Sequence, residues 1–328
     1  MRIKKTHFYF GIVILILLVA AVFYYFNPFN QKKSPIGQQS VEENLSWLVD
    51  DNGYLHYPAY RGQPEFQRTN YLVNESIVVS KIIYKSNGAN IYGFLVLPAS
   101  ISTALPGVVI LPGAGVSKES ELNLAEEISQ LGVAVLTIDQ RGVGETGGYF
   151  PDLDEDYGAF LQSKEPTQHL VVYDALRGAD LLRSAPFIDP KRIIIVGESF
   201  GGRVAIIAAA IDKNIKGALV ISTAGSGFPE GNDASKNRFL KSIDANHYVD
   251  LIAPRPIIMM HNYNDRNIPL GYAAATFYLA QEPKSFLLVN DTTCNHGYCD
   301  SMYPGLVASL DYLVGLKKPN ANLTNTAS

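Results

Sequence analysis

Ile193-Ile194-Ile195-Val196-Gly197-Glu198-Ser199-Phe200-Gly201-Gly202, continued by Arg203-Val204-Ala205-Ile206-Ile207-Ala208-Ala209-Ala210, carries the strongest architectural signal in the chain. Four β-branched residues in a row read as a strand buried on both faces, and the Ala- and Ile-rich run reads as a buried helix. Ser199 therefore falls on a sharp turn between the two. Such a turn strains the backbone of its central residue, and the positions two either side must be small for strand and helix to approach; Gly197 and Gly201 meet that demand. Gly-x-Ser-x-Gly alone is a weak pattern, but here it has the strand before it and the helix after it that a nucleophilic serine requires.

Working outward toward the N-terminus, Gly107–Leu111 is a short buried strand that ends in Pro112-Gly113-Ala114-Gly115, and a helix is expected from about Lys118 to Leu131. The next strand, Val133–Ile138, ends at Asp139-Gln140-Arg141-Gly142-Val143-Gly144. Ahead of these, Ile77–Lys85 and Asn90–Leu97 flank the turn Ser86-Asn87-Gly88-Ala89 and read as a hairpin. Ser46 to Asn70 holds aromatic residues without clean periodicity and receives no element. The acidic run Asp152-Leu153-Asp154-Glu155-Asp156 reads as a solvated loop before an amphipathic helix at about Gln168–Ser184. Downstream come a strand at Gly217–Ser222, an irregular segment over 223–250 read as a small cap, a strand at Pro256–His261 and a helix at about Leu270–Ala280. A strand at Ser285–Val289 and a closing helix at about Tyr303–Leu316 complete the chain. Strands alternating with helices predict an α/β architecture, a mostly parallel twisted sheet with helices on both faces.

A serine hydroxyl needs a histidine base, an acid to orient that base and donors for an oxyanion, and in open parallel sheets these groups come from loops beyond the carboxyl ends of strands. Asp265 follows the strand ending near His261, and His296 follows the strand ending near Val289. Asp233 and Asp244 are rival acids, but neither has the tight turn around Asp265. His261 and His169 read as structural, and His56, His247 and His7 have no motif around them. Asp139 and Arg141 read as scaffolding of their loop, and Glu198 either lines the pocket beside the nucleophile or serves the scaffold. Phe228, Phe239 and Tyr248 are candidate pocket walls.

The order Ser199, Asp265, His296 resembles that of the α/β-hydrolase superfamily, over roughly residues 75–316. Gly-Glu-Ser-Phe-Gly-Gly is similar to its nucleophile elbow, and Leu111-Pro112-Gly113-Ala114-Gly115 resembles its oxyanion loop, with proline where histidine is common. Asp139-x-Arg141-Gly142-x-Gly144 resembles the loop after the fourth strand in the dienelactone-hydrolase and prolyl-oligopeptidase branches. The resemblance implies a serine hydrolase with Ser199, Asp265 and His296 as triad and the N–H groups of Ala114 and Phe200 as oxyanion donors, working on a carboxylic ester without metal or organic cofactor. A serine peptidase for short peptides is the alternative within that chemistry, and a membrane-anchored binding protein without catalysis is the alternative of another class.

Composition bounds the partners. A net charge of -4 without a basic stripe excludes nucleic acid, and 47% hydrophobic residues suffice for one large domain. Residues 8–26 carry no charge, and as a helix they would span about 28 Å, close to the hydrocarbon thickness of a bilayer. The expected organisation is a cytoplasmic N-terminus (1–7), a transmembrane anchor (8–26) in contact with membrane lipid, a linker (27–44), a hydrolase domain (45–317) and a flexible tail (318–328). The domain is expected outside the cytoplasm, with secretion after signal cleavage at Val19-Ala20-Ala21 as the competing reading. Asn44, Asn74, Asn290 and Asn322 head Asn-x-Ser/Thr sites. Cys294 and Cys299 flank His296 and form a candidate disulfide; free thiols are the alternative, and a zinc site lacks a fourth ligand. The oligomeric state is open.

Overall fold

In the computed structural model, which describes residues 47–316, the Ile193–Val196 run is fully buried near the middle of one nine-stranded sheet. A two-stranded ribbon, β1 (Leu48–Val49) with β2 (Leu55–His56), stands apart from it. The sheet contains β3 (Phe66–Val73), β4 (Ile77–Ser86), β5 (Ala89–Pro98), β6 (Leu105–Leu111), β7 (Ala134–Ile138), β8 (Ile188–Glu198), β9 (Ala218–Ile221), β10 (Ile257–Asn262) and β11 (Lys284–Val289). Its order is β11-β10-β9-β8-β6-β7-β5-β4-β3. From β7 to β11 every neighbouring pair is parallel, and the β3, β4 and β5 end is antiparallel.

Strand polarity follows from the connections. Short turns join β3, β4 and β5, which forces antiparallel pairing, whereas helices return the chain between the later strands. The helices are α1 (Leu122–Gln130), α2 (Leu153–Leu161), α3 (Thr167–Ser184), α4 (Phe200–Ile211), α5 (Ala234–Ser242), α6 (Leu270–Leu279) and α7 (Tyr303–Val314). One apolar core lies between the sheet and α3 and α4; the other lies between the sheet and α1 and α7. All parallel strand ends that carry the expected site residues, those of β6, β8, β10 and β11, therefore open on one rim.

Two expectations fail. Residues 153–161 form α2 rather than a solvated loop: Asp152 accepts from the N–H groups of Asp154 and Glu155, and Glu155 reaches back to the Asp152 N–H, a reciprocal cap that neutralises the helix start. The acidic residues there also oppose the positive end of the helix dipole. The second is the segment over 46–70, read without elements, which holds β1, β2 and the first five residues of the edge strand β3. All residues of β3 are exposed, so burial imprints no period-two alternation on its sequence.

Asp139 and Arg141 do serve the scaffold. Asp139, fully buried, accepts from Lys118 Nζ at 2.9 Å, from the Lys118 N–H at 2.8 Å and from the Glu145 N–H at 2.9 Å. Arg141 grips Asp174 with Nε and Nη2 at 2.8 and 2.9 Å. The expected anchor over 8–26, with residues 1–7, the linker and the tail, lies outside the described residues. No helix among the described residues is long and apolar enough to cross a membrane.

Candidate active site

Ser199 occupies the turn between β8 and α4 with φ 52° and ψ −117°. A side chain tolerates that conformation at a cost of about 1–3 kcal/mol, and only where the surroundings enforce it. They do so here. The Ser199 N–H donates to the Ile221 carbonyl at 2.9 Å, and Thr223 Oγ1 donates to the Ser199 carbonyl at 2.6 Å. A Cβ on Gly197 would overlap the Gly201 carbonyl, and one on Gly201 would overlap the Leu111 and Pro112 carbonyls. Both glycines are thus required by contact between strand, helix and the loop after β6.

That loop passes beside the serine: a Cβ on Gly113 would lie 3.5 Å from Ser199 Cβ. Gln140 Nε2 donates to the Pro112 carbonyl at 2.7 Å from a buried position, which fixes the path of the loop. Phe200 is the first residue of α4, so its N–H belongs to the set that a helix leaves without an internal partner. Ala114 lines the same cavity as Ser199 and His296.

Asp265 and His296 meet across the loops after β10 and β11. His296 Nδ1 lies 3.0 and 2.9 Å from the two carboxylate oxygens of Asp265. Asp265 also accepts from the N–H groups of Asn267 and Ile268, each at 2.9 Å. Burial pushes the Asp265 carboxyl up, but the Ile268 N–H and His296 outweigh it and hold the group below its usual range. The rival acids are occupied elsewhere. Asp233 caps α5, and Asp244 accepts from the N–H groups of Ser226, Gly227 and Asn246.

A cavity of about 790 Å³, lined by Ser199, His296, Gly113, Ala114, Glu121 and Glu198 among others, joins the serine to the histidine of the His–Asp pair. Glu126, Glu127 and Asp300 also line it, so its wall is acidic. Glu198 accepts the N–H of Tyr298, two residues beyond His296, at 3.2 Å. Burial raises the Glu198 carboxyl despite that bond and the nearby His296, and burial together with the Glu198 charge pushes Glu121 up to about 8. Glu121 ionises near 4.5 when unfolded, so between pH 4.5 and 8 the unfolded chain binds fewer protons than the folded one. Stability from this group therefore falls as pH rises through that window. Glu121→Gln is expected to raise the melting temperature at pH 8.5 and to leave it near the wild-type value at pH 4; an equal shift at both values would refute the linkage.

Of the candidate pocket walls, Phe228 lines a cavity beside Phe200, whereas Phe239 and Tyr248 do not line any of the described cavities near Ser199. Both are fully buried in the core. Phe239 packs against Phe160, Tyr157 and His169, and Tyr248 accepts the Leu55 N–H at 2.6 Å with its hydroxyl. They hold the cap segment to the body. His169 is likewise buried, at 2.7 Å from Ser242 Oγ, and burial lowers it to about 3. His261 Nε2 lies 2.9 Å from the Ile268 carbonyl and 3.9 Å from Asp265, inside the acid turn.

Cys294 and Cys299 form a disulfide, Cα atoms 6.0 Å apart, that closes the loop around His296. Asn262, at the end of β10, braces the same loop: its Nδ2 donates to the Asp291 and Cys294 carbonyls at 2.8 and 2.6 Å, and its Oδ1 accepts the Asp291 N–H at 3.0 Å. Sequence reasoning overlooked Asn262, Gln140 and Thr223. Their one signal is position, since Asn262 closes β10, and Gln140 and Thr223 lie two residues past the ends of β7 and β9.

A solved acetyl xylan esterase from Paenibacillus sp. R4 superimposes with a TM-score of 0.65 over 78% of this chain and 90% of that one, at 19% identity. Acetyl xylan esterase 1 from Thermoanaerobacterium sp. JW/SL YS485 gives 0.62 over 78% and 89%, at 15% identity. These likenesses establish the α/β-hydrolase fold. In sequence, the chain is 27% identical over 142 residues to the uncharacterized protein YfhR of Escherichia coli O157:H7, covering 42% of this chain and 50% of that protein. It is 27% identical over 156 residues to the putative hydrolase YtaP of Bacillus subtilis (strain 168), covering 45% and 52%. The match spans about half the length of these curated relatives. Residues 58–230, more than half of the chain, match the family described as acetyl xylan esterase (AXE1). The chain belongs to the acetyl xylan esterase (AXE1) family.

Proposed function

We propose that this protein is a serine hydrolase that cleaves carboxylic esters of short acyl groups, of which the acetyl esters in the family's description are one kind. The observation that carries this reading is the His296–Asp265 pair, hydrogen bonded at 2.9 Å, on the same cavity as a serine held at φ 52°. His296 takes the proton of Ser199 as the hydroxyl attacks the acyl carbonyl, and Asp265 holds the imidazole with Nε2 free to accept it. The N–H groups of Ala114 and Phe200 hold the oxyanion. His296 then protonates the leaving alcohol, and a water activated by the same histidine releases the acid from Ser199.

The membrane setting belongs to the same proposal. The uncharged run at 8–26 suits an anchor, and the Cys294–Cys299 disulfide suits an oxidising, extracytoplasmic compartment. Incubation with a fluorophosphonate probe tests the chemistry: covalent labelling of the wild type at Ser199, mapped by peptide mass spectrometry, is expected. A chain that takes up no label while hydrolysing no 4-nitrophenyl acetate would favour a non-catalytic binding protein.

A further inference from the structure

Ser199 has a second side. The acidic cavity lies toward His296, and two smaller cavities, of about 240 and 370 Å³, lie beyond Phe200. The first is reached from Ser199 itself and the second from Ala114, and Arg203 lines both. Arg203 sits on the first turn of α4, four residues past the nucleophile. Its Nη1 donates to Ser226 Oγ at 2.9 Å, and its guanidinium carbon lies 5.2 Å from the centre of the Phe200 ring. Among the described residues no carboxylate lies within 4.0 Å of it.

A partly buried guanidinium without a counter-ion is unusual, because taking a charge out of water is costly unless a partner replaces the lost hydration. Burial does lower the Arg203 pKa, against the pull of Asp244, yet arginine stays charged at any working pH. Asp244 does not pair with it: that carboxylate is committed to the N–H groups of Ser226, Gly227 and Asn246. Remaining donors of Arg203 are thus available to a ligand in the two cavities it lines. Planar and forked, a guanidinium matches a carboxylate in two-point fashion.

The proposed reaction says which part of a substrate lies there. The leaving oxygen must come within hydrogen-bond reach of His296 to receive its proton, so the alcohol belongs in the acidic cavity that His296 lines. Hydroxyl groups are good donors to its carboxylates. The acyl chain then extends the opposite way, over Phe200 toward Arg203. We propose that Arg203 is the specificity residue of the acyl side and that the preferred substrates are hemiesters of short dicarboxylic acids, whose free carboxylate it binds. Water and a hemiester give the alcohol and the dicarboxylate; the distal carboxylate is bound and released unchanged. This rests on the serine-esterase reading above.

The test uses the full chain and two methyl esters of matched shape, monomethyl succinate and methyl 4-methylpentanoate, in which two methyl groups replace the carboxylate oxygens. Methanol release is followed by proton NMR. In the wild type, kcat/KM is expected to be about tenfold or more higher for the hemiester, the scale of one charge-assisted pair. In Arg203→Met that ratio is expected to fall to about one or below, and in Arg203→Lys to lie between the two. Because the ratio is taken within one preparation, a change in the folded fraction does not alter it. A wild-type ratio of one or less, an unchanged ratio in Arg203→Met, or an enzyme that takes up the fluorophosphonate label but leaves monomethyl succinate intact overturns the proposal. Absence of label together with no turnover of any ester overturns the hydrolase reading, and the proposal with it.

Discussion

Ser199→Ala is expected to lower kcat/KM on 4-nitrophenyl acetate by about 10⁴-fold or more, with the melting temperature little changed. The size of the effect follows from what is lost and what stays. Alanine keeps the Cβ that the φ of 52° already accommodates, and it keeps the two backbone bonds, to Ile221 and from Thr223, that hold the turn. The fold therefore has no reason to respond. What disappears is the atom that forms the acyl-enzyme in the proposed mechanism, and with it the route that splits one difficult displacement into two easier ones. The donors at Ala114 and Phe200 and the binding cavity remain, so a residual rate above that of water is expected. Equal rates in the variant and the wild type would remove Ser199 from the mechanism.

Asp265→Asn is expected to lower kcat by about 10⁴-fold while moving KM much less. The side chain is fully buried, and the N–H groups of Asn267 and Ile268 already point at Oδ1. An asparagine there keeps its oxygen on those two donors and turns its amide nitrogen toward His296. That nitrogen donates, so His296 must present a lone pair at Nδ1 and carry its proton on Nε2, the atom that should take the proton of Ser199. The imidazole is then in the wrong tautomer, and the imidazolium that forms in the transition state meets no counter-charge. A fall of less than tenfold, measured by steady-state ester hydrolysis with unfolding checked separately, would show that another acid orients the histidine.

How far the sequence disclosed this site depends on the kind of constraint each residue carries. Gly197 and Gly201 were legible because close approach of strand, helix and loop leaves no room for a Cβ at either position. The meeting of Asp265 with His296 was foreseeable because each follows a strand, β10 or β11, that ends on the same rim of the sheet. Strands buried on both faces announced themselves by β-branched runs, whereas the exposed edge strand β3 had no core face to imprint on its sequence. In the acidic run at 152–156, charge count suggested a solvated loop, but the spacing of Asp152 and Glu155 outweighed it by capping a helix. Phe239 and Tyr248 misled for another reason. An aromatic residue near a site looks the same in sequence whether it faces the substrate or anchors a segment, and here both anchor the segment to the core. Asn262 and Gln140 act on backbone carbonyls far along the chain, a pairing that no local pattern reveals. Arg203 was in plain view within the opening stretch, but its significance lies in the counter-ion that the fold does not provide.

The bridge between Cys294 and Cys299 spans so few residues that, on a chain-entropy basis, it adds only about 2 kcal/mol to the stability of the whole. The sheet, its two cores and the elbow are complete without it. Its reach is local: it ties together the two ends of the short segment that bears His296, the segment whose backbone Asn262 also holds, so the covalent link bears on the position of one imidazole rather than on the fold as a whole.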